Sequence, residues 1–292
     1  MIQLDDKNYI GENAIILYPG ANYALHEQDI HGIMKEYYNG DWLLLQNESS
    51  GTRFALNAAR LRGMVIVMNV APMDLQVLEK YDFNQVDILV MNAVEAEVLM
   101  EVLMAFPRKS RASQRMSMIS TTSSKGTSFT ISDEKDVTQR VREYFPGISG
   151  VVVTRGKHGV RANFHGNIYD IPAYPLSDAE VVDSTGAGDT FIGYLAATLA
   201  QRGWRPAARM MHMSNPIHSD EEQEQMGMIG VSLGEFDADV VDFALRRASM
   251  AAAMSVMTFG AMDGIPLGQD VDSRMQRFEH DMAVNALLQE HD

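Results

Sequence analysis

Short apolar runs that alternate with amphipathic stretches constrain this chain more than any other feature. Residues 14–18, 42–46, 64–69, 86–91 and 151–154 are almost continuously apolar and are bounded by turn residues. Such runs suit strands covered on both faces, since a strand with one wet side would alternate. Between them, residues 27–38, 52–62, 73–80 and 93–104 place apolar side chains at helical spacing. Strand and helix in alternation predict an α/β fold, a doubly wound, mostly parallel sheet whose right-handed crossovers lay helices on both faces. With 292 residues, 46% of them hydrophobic, there is material for one large α/β domain or two small ones.

Two stretches break the rhythm and read as long surface insertions. One, near 107–136, is rich in Ser, Thr and Lys/Arg, and the other, near 203–236, holds the run Asp220-Glu221-Glu222-Gln223-Glu224. That acidic run is read as a solvated loop. A helix opening near Ala187 is expected to end at Gly203, and a small-residue helix over 239–257 leads into Phe259-Gly260-Ala261. Met250, Met254 and Met257 are read as flexible core filler.

Charge and composition remove several function classes. A formal charge of −15 argues against nucleic acid or an anionic membrane as the main partner. The lack of cysteine excludes disulfides, thiolate metal sites and Cys nucleophiles. No apolar run reaches the ~18 residues needed to span a bilayer, and the first residues lack the blocks of a signal peptide, so the cytoplasm is the default location.

The chemistry concentrates in Val182-Asp183-Ser184-Thr185-Gly186-Ala187-Gly188-Asp189, which precedes the apolar helix of Phe191, Ile192, Leu195 and Leu199. Unpaired backbone N–H groups at a helix N-terminus, with the positive end of the macrodipole, suit the charge on a transferring phosphoryl group. Small residues are required because a side chain would hold the phosphate off the backbone. Asp189 stands at the same end, placed to take a proton from an attacking hydroxyl. The structural alternative is a glycine turn with Asp189 as a helix cap.

This run closely resembles the second signature of the ribokinase-like (phosphofructokinase B type) carbohydrate kinases, and the resemblance continues in order along the chain. Glu12-Asn13-Ala14-Ile15-Ile16 with Pro19-Gly20-Ala21-Asn22 is similar to the stretch that joins a lid strand to the core in ribokinases. Glu48, after Leu44-Leu45-Gln46-Asn47, matches a sugar-contacting glutamate, and Asn69-Val70-Ala71-Pro72 matches an Asn-Pro-Ala-Pro turn. Asn92-Ala93-Val94-Glu95 resembles the Asn-x-x-Glu motif, in which the glutamate positions Mg²⁺ and its water. By itself that tetrapeptide is equally a plain helix start. Thr154-Arg155-Gly156-Lys157-His158-Gly159 is similar to the turn that contacts nucleotide phosphates and ribose, and without the family it would be a hairpin turn. Lys157 and His158 are expected to face solvent.

Residues 248–256, Ser249 among them, resemble the flank of the adenine pocket, and Gly260-Ala261 the closure of a monovalent-cation site. The resemblance implies Asp183, Thr185, Ser255, Thr258 and Gly260 as K⁺ ligands. Gly264 departs from the family's serine and removes one side-chain oxygen.

Matched against the family, the chain starts inside the lid. The strand with a sugar-binding Asp and the Gly-Gly-Lys-Gly-x-Asn turn, about the first quarter of the pattern, have no counterpart in residues 1–292. Residues 1–18 are therefore expected to form a partial lid hairpin, and 19–292 the α/β core with its insertions. The expectation is a fragment or misplaced start of an ordinary kinase, against a shortened protein without sugar specificity.

The resemblance implies ATP-dependent phosphorylation of a sugar hydroxyl, with the 5-hydroxyl of D-ribose the leading choice. Asp189 would be the base, with Gly186, Ala187 and Gly188 meeting the phosphoryl charge. Asn92, Glu95, Thr154, Gly156, Gly159 and Ser249 would serve the nucleotide and Mg²⁺, and Glu48 the sugar. Family members often pair through their lids, and half of this lid is absent, so a homodimer is one option and the oligomeric state is left open. The rival expectation is a nucleotide-binding or assembly protein derived from the kinase core.

Overall fold

The computed structural model describes residues 2–3, 13–14, 18, 20–74, 76–105, 134–206 and 238–289. At the N-terminus, β1 (Ile2–Gln3) pairs antiparallel with β2 (Asn13–Ala14). The core sheet holds β3 (Trp42–Leu45), β4 (Val65–Asn69), β5 (Ile88–Asn92), β6 (Gly150–Thr154), β7 (Val160–Phe164) and β8 (Asn167–Ile171), side by side in that order. Pairing is parallel from β3 to β6 and antiparallel from β6 to β8.

The helices are α1 (Glu27–Met34), α2 (Thr52–Leu61), α3 (Val77–Lys80), α4 (Ala93–Ala105), α5 (Glu134–Tyr144), α6 (Ala187–Gln201), α7 (Ala238–Ser255) and α8 (Gly268–Gln289). Both faces of the sheet are covered, and the period of two decides which residue goes where. Ile66, Met68, Leu89, Met91, Val151 and Val153 pack on α2, α4 and α5. Their neighbours Val65, Val67, Ile88, Val90 and Val152 face the other way, onto α6 and α7. This explains why β4, β5 and β6 read as continuous apolar runs, and it agrees with the α/β architecture expected from them. Helix α8 adds Val271 and Met275 against Met250 and Ala251 of α7. No helix among the described residues is long and apolar enough to cross a membrane.

Several sequence expectations are corrected. Strands β7 and β8 were not anticipated, because Arg161 and Asn163 give β7 the look of a loop. Both are nonetheless buried, since Arg161 pairs with Asp170 at 2.9 Å and Asn163 accepts from Arg142 at 2.8 Å. Of the strand expected over 14–18, Ala14 lies in β2 and Tyr18 is outside any strand and 92% exposed, while residues 15–17 lie outside the described residues. The helix expected over 27–38 stops at Met34, ahead of the Gly40 turn at φ +91°. The one expected over 73–80 is confined to α3, because the Asp74 carboxylate accepts the Gln76 N–H and holds the preceding residues in a turn.

Helix α6 does end as expected, with Gly203 at φ +73° and its N–H on the Ala200 carbonyl. The stretch read as a surface insertion from 203 opens instead with the buried Trp204, whose ring lies 5.9 Å from those of Trp42 and Phe164. The other read from 107 closes in α5. Residues 106–133 and 207–237, with the acidic run, lie outside the described residues.

Candidate active site

On the α6 face, the columns of side chains in the parallel strands end in polar residues at the carboxyl edge. Trp42 and Leu44 are followed by Gln46, Val65 and Val67 by Asn69, Ile88 and Val90 by Asn92, and Val152 by Thr154. That edge is where open α/β sheets bind ligands.

Helix α6 begins at this edge. Its N-cap, Gly186, takes φ +81° and brings no side chain to cap the end. A Cβ there would lie 2.9 Å from the Cβ of Ala261 and 3.1 Å from its Cα, so both the left-handed backbone and the close approach demand glycine. The first helical bond runs from Thr190 N–H to the Gly186 carbonyl at 2.8 Å. The Ala187 N–H makes a long turn bond of 3.3 Å to Ser184. Helix geometry leaves the Gly188 and Asp189 N–H groups without a partner four residues back. Nothing lies within 4 Å of a Cβ built on Gly188, so the mouth of the helix is open to an anion.

Asp189 sits exposed in the first turn, and its Oδ1 accepts a hydrogen bond from Gln46 Nε2 at 2.9 Å. Gln46 was absent from the residues expected at the site. Its signal was present in the sequence as the polar residue that closes an apolar column two positions after Leu44.

Asp183 fastens the loop from behind. Its Oδ1 accepts from Thr185 N–H at 2.9 Å and its Oδ2 from Gly260 N–H at 3.0 Å. Bonds from Thr185, then Gly260, hold this carboxyl below the usual aspartate range. The Val182 and Asp183 N–H groups both reach the Val256 carbonyl, at 2.8 and 3.1 Å. Asp183, Thr185 and Gly260 are thus brought together beside the end of α7. Ser255 adds a carbonyl that converges with that of Gly260, for a Cβ built on Gly264 would lie 2.7 and 2.9 Å from these two oxygens. Glycine at 264 is imposed by this backbone packing. Thr258 is exposed in the same turn, and its N–H bonds to the Ser255 carbonyl at 3.4 Å.

Asn92 and Glu95 form a reciprocal cap at the start of α4. Asn92 N–H donates to Glu95 Oε2 at 2.8 Å, and Glu95 N–H donates to Asn92 Oδ1 at 2.9 Å. Glu95 is 8% exposed, and burial pushes its carboxyl above the usual glutamate range against the lowering bonds from Asn92 and Asn69. The helix-start alternative for this tetrapeptide therefore describes part of what it does. Among the described residues, no group of three or more His, Asp or Glu could hold a metal ion.

Thr154 pairs with Asn92 across β5 and β6. Beyond it, Arg155 N–H bonds to the Gly159 carbonyl at 2.8 Å, and Gly156 and Gly159 take φ +53° and +82°. Lys157 and His158 face solvent, as expected. Ser249 is buried on α7, and its Oγ has no hydrogen-bond partner among the described residues. Glu48 is exposed in the turn two residues beyond Gln46.

Comparison with known proteins gives a consistent result. A model of the pfkB family of carbohydrate kinases matches residues 4–210. The ribokinase of Haemophilus influenzae is 28% identical over 202 residues, which cover 68% of this chain and 56% of that one. The chain therefore spans little more than half the length of that curated relative. The ribokinase structure from Giardia lamblia superposes with a TM-score of 0.62 at 21% identity, covering 92% of this chain and 69% of that one. An Arabidopsis thaliana ribokinase solved with ribose and ATP gives 0.55 at 21% identity, covering 90% and 64%. At these identities the two structures establish the fold.

Proposed function

The chain belongs to the pfkB family of carbohydrate kinases, and from that premise we propose that it phosphorylates a sugar hydroxyl with ATP, D-ribose being the substrate and ribose 5-phosphate the product. The observation that carries this reading is the N-terminus of α6, with Gly186 in the left-handed region and Asp189 in its first turn at the carboxyl edge of the sheet.

In this reading Asp189 takes the proton of the attacking hydroxyl, while the Gly188 and Asp189 N–H groups meet the charge on the phosphoryl oxygens, with Gly186 and Ala187 shaping the turn. Glu48 lies on the same edge, available to a sugar hydroxyl. Thr154 and the Gly156 and Gly159 turn would receive the nucleotide, with Ser249 on α7 flanking its base. The relatives support the substrate choice: the Haemophilus relative is a ribokinase, and the Arabidopsis ribokinase was solved with ribose and ATP.

Glu95 is the carboxylate suited to Mg²⁺. With no cage of acidic residues among those described, that ion would arrive with the phosphates and keep most of its water, one molecule of which Glu95 would hold. It would supply neutralisation of phosphate charge. The donor set of Asp183 with the Thr185, Ser255, Thr258 and Gly260 backbone is poor in charge and rich in carbonyls, which fits a monovalent cation such as K⁺ behind the loop.

The test is ADP release with ribose, other pentoses, hexoses and nucleosides as acceptors. Ribose should give the highest kcat/KM, and Asp189→Asn should lower kcat by ~100-fold or more while ATP analogues still bind by calorimetry. Nucleotide binding without any acceptor-dependent ADP release would replace this reading with that of a nucleotide-binding protein.

A further inference from the structure

We infer that Gln46 is a positioning residue for Asp189, a role that rests on the kinase reading above. Gln46 and Asp189 are 143 residues apart in sequence, yet Gln46 Nε2 donates to Asp189 Oδ1 at 2.9 Å. The geometry follows from parity. Leu43 and Leu45 of β3 pack toward α2, and the next residue of that parity, Asn47, goes with them, accepting from the Tyr81 hydroxyl at 2.7 Å. Gln46 has the opposite parity, shared with Trp42, which packs on the α6 face. It is therefore the residue of this turn that looks across to the first turn of α6.

A carboxylate on an exposed helix turn rotates freely about its terminal torsion, which is broad and roughly two-fold. One amide donor on Oδ1 removes that freedom and leaves Oδ2 for the substrate. In the transfer, the acceptor O–H breaks as its oxygen forms the new O–P bond. The proton passes to Oδ2, and ADP leaves with the electron pair of the broken P–O bond. Gln46 itself neither gains nor loses a proton. Its bond is open to water in the free protein and strengthens when bound sugar excludes that water.

Because the bond sits at an exposed edge, its loss should leave stability almost untouched and act on turnover. Gln46→Leu, which keeps the bulk and removes the donor, should lower kcat by about 10- to 100-fold, the scale of a small misplacement of a reacting group. KM for ATP and the melting temperature should stay near those of the unsubstituted chain. Gln46→Glu, the same shape with a second carboxylate beside the base, should lose at least as much. In the Asp189→Asn background, Gln46→Leu should cost no further turnover, because the base it orients is gone. A purely structural role predicts the reverse, with a lowered melting temperature and losses that multiply. An active chain in which the two losses multiply, or in which Gln46→Leu leaves kcat unchanged, overturns the positioning role alone. A chain with no sugar-dependent ADP release overturns the kinase reading and this role with it.

Discussion

Two glycines of one loop, Gly186 and Gly188, should respond to the same substitution with opposite sign. Alanine at 186 must adopt φ +81°, which costs about 1–2 kcal/mol for a residue with a Cβ. Its methyl would also stand 2.9 Å from the Ala261 Cβ and 3.1 Å from the Ala261 Cα, so backbone must yield, at about 1–3 kcal/mol. The two together predict a loss of about 2–5 kcal/mol, or roughly 4–20 °C in Tm for a large domain. Gly188 has ordinary helical φ, and its new methyl meets nothing within 4 Å. There Gly188→Ala should raise stability by about 0.5–1 kcal/mol through lost unfolded-state freedom. Yet both variants should lose turnover, since a Cβ leans toward the helix N-terminus, where the phosphoryl group would approach. Circular-dichroism melts and an ADP-release assay measure the two effects separately. Shifts of the same sign and size at both positions would refute the reasoning, because they would mean that neither the left-handed backbone nor the Ala261 contact distinguishes these sites.

At the opposite end of the sheet, Asp87 is fully buried, receiving Arg60 Nη1 at 3.2 Å and the Ile66 N–H at 2.9 Å. Asp87→Ala leaves the Ile66 N–H without this acceptor and Arg60 with the Gln85 carbonyl at 3.3 Å, and should cost about 3 kcal/mol, less than a wholly buried pair because Arg60 also keeps some contact with water. A urea midpoint that does not move would show the pair to be idle. For Glu95, a carboxyl held above its usual range makes folding more favourable below the unfolded value, near ~4.3, and loses that benefit as pH rises through the folded one. Glu95→Gln retains the cap and removes the buried charge. It should therefore melt higher than the unsubstituted chain at neutral pH, with the advantage vanishing near pH ~4. An advantage independent of pH would point to packing instead.

What the sequence determined by itself was local. Apolar runs announced β4, β5 and β6 because burial on both faces leaves no polar position, and the Gly186-Ala187-Gly188-Asp189 run announced a helix opening because its requirements lie within a few residues. The Asn92 and Glu95 cap was legible for the same reason. Strands β7 and β8 were not, since the burial of Arg161 and Asn163 relies on Asp170 and Arg142, partners that spacing does not reveal. Only the tertiary structure decided which side chain faces Asp189. That choice depends on the parity of β3 and on α6 crossing the sheet, a relation between residues 143 apart that no local pattern encodes. The same holds for Gly264, whose missing side chain reads as a lost ligand in sequence and as a packing requirement once the Ser255 and Gly260 carbonyls converge on it. Chemistry confined to one turn can be read from residue types, whereas contact between distant turns exists only after the sheet has set its register and faces.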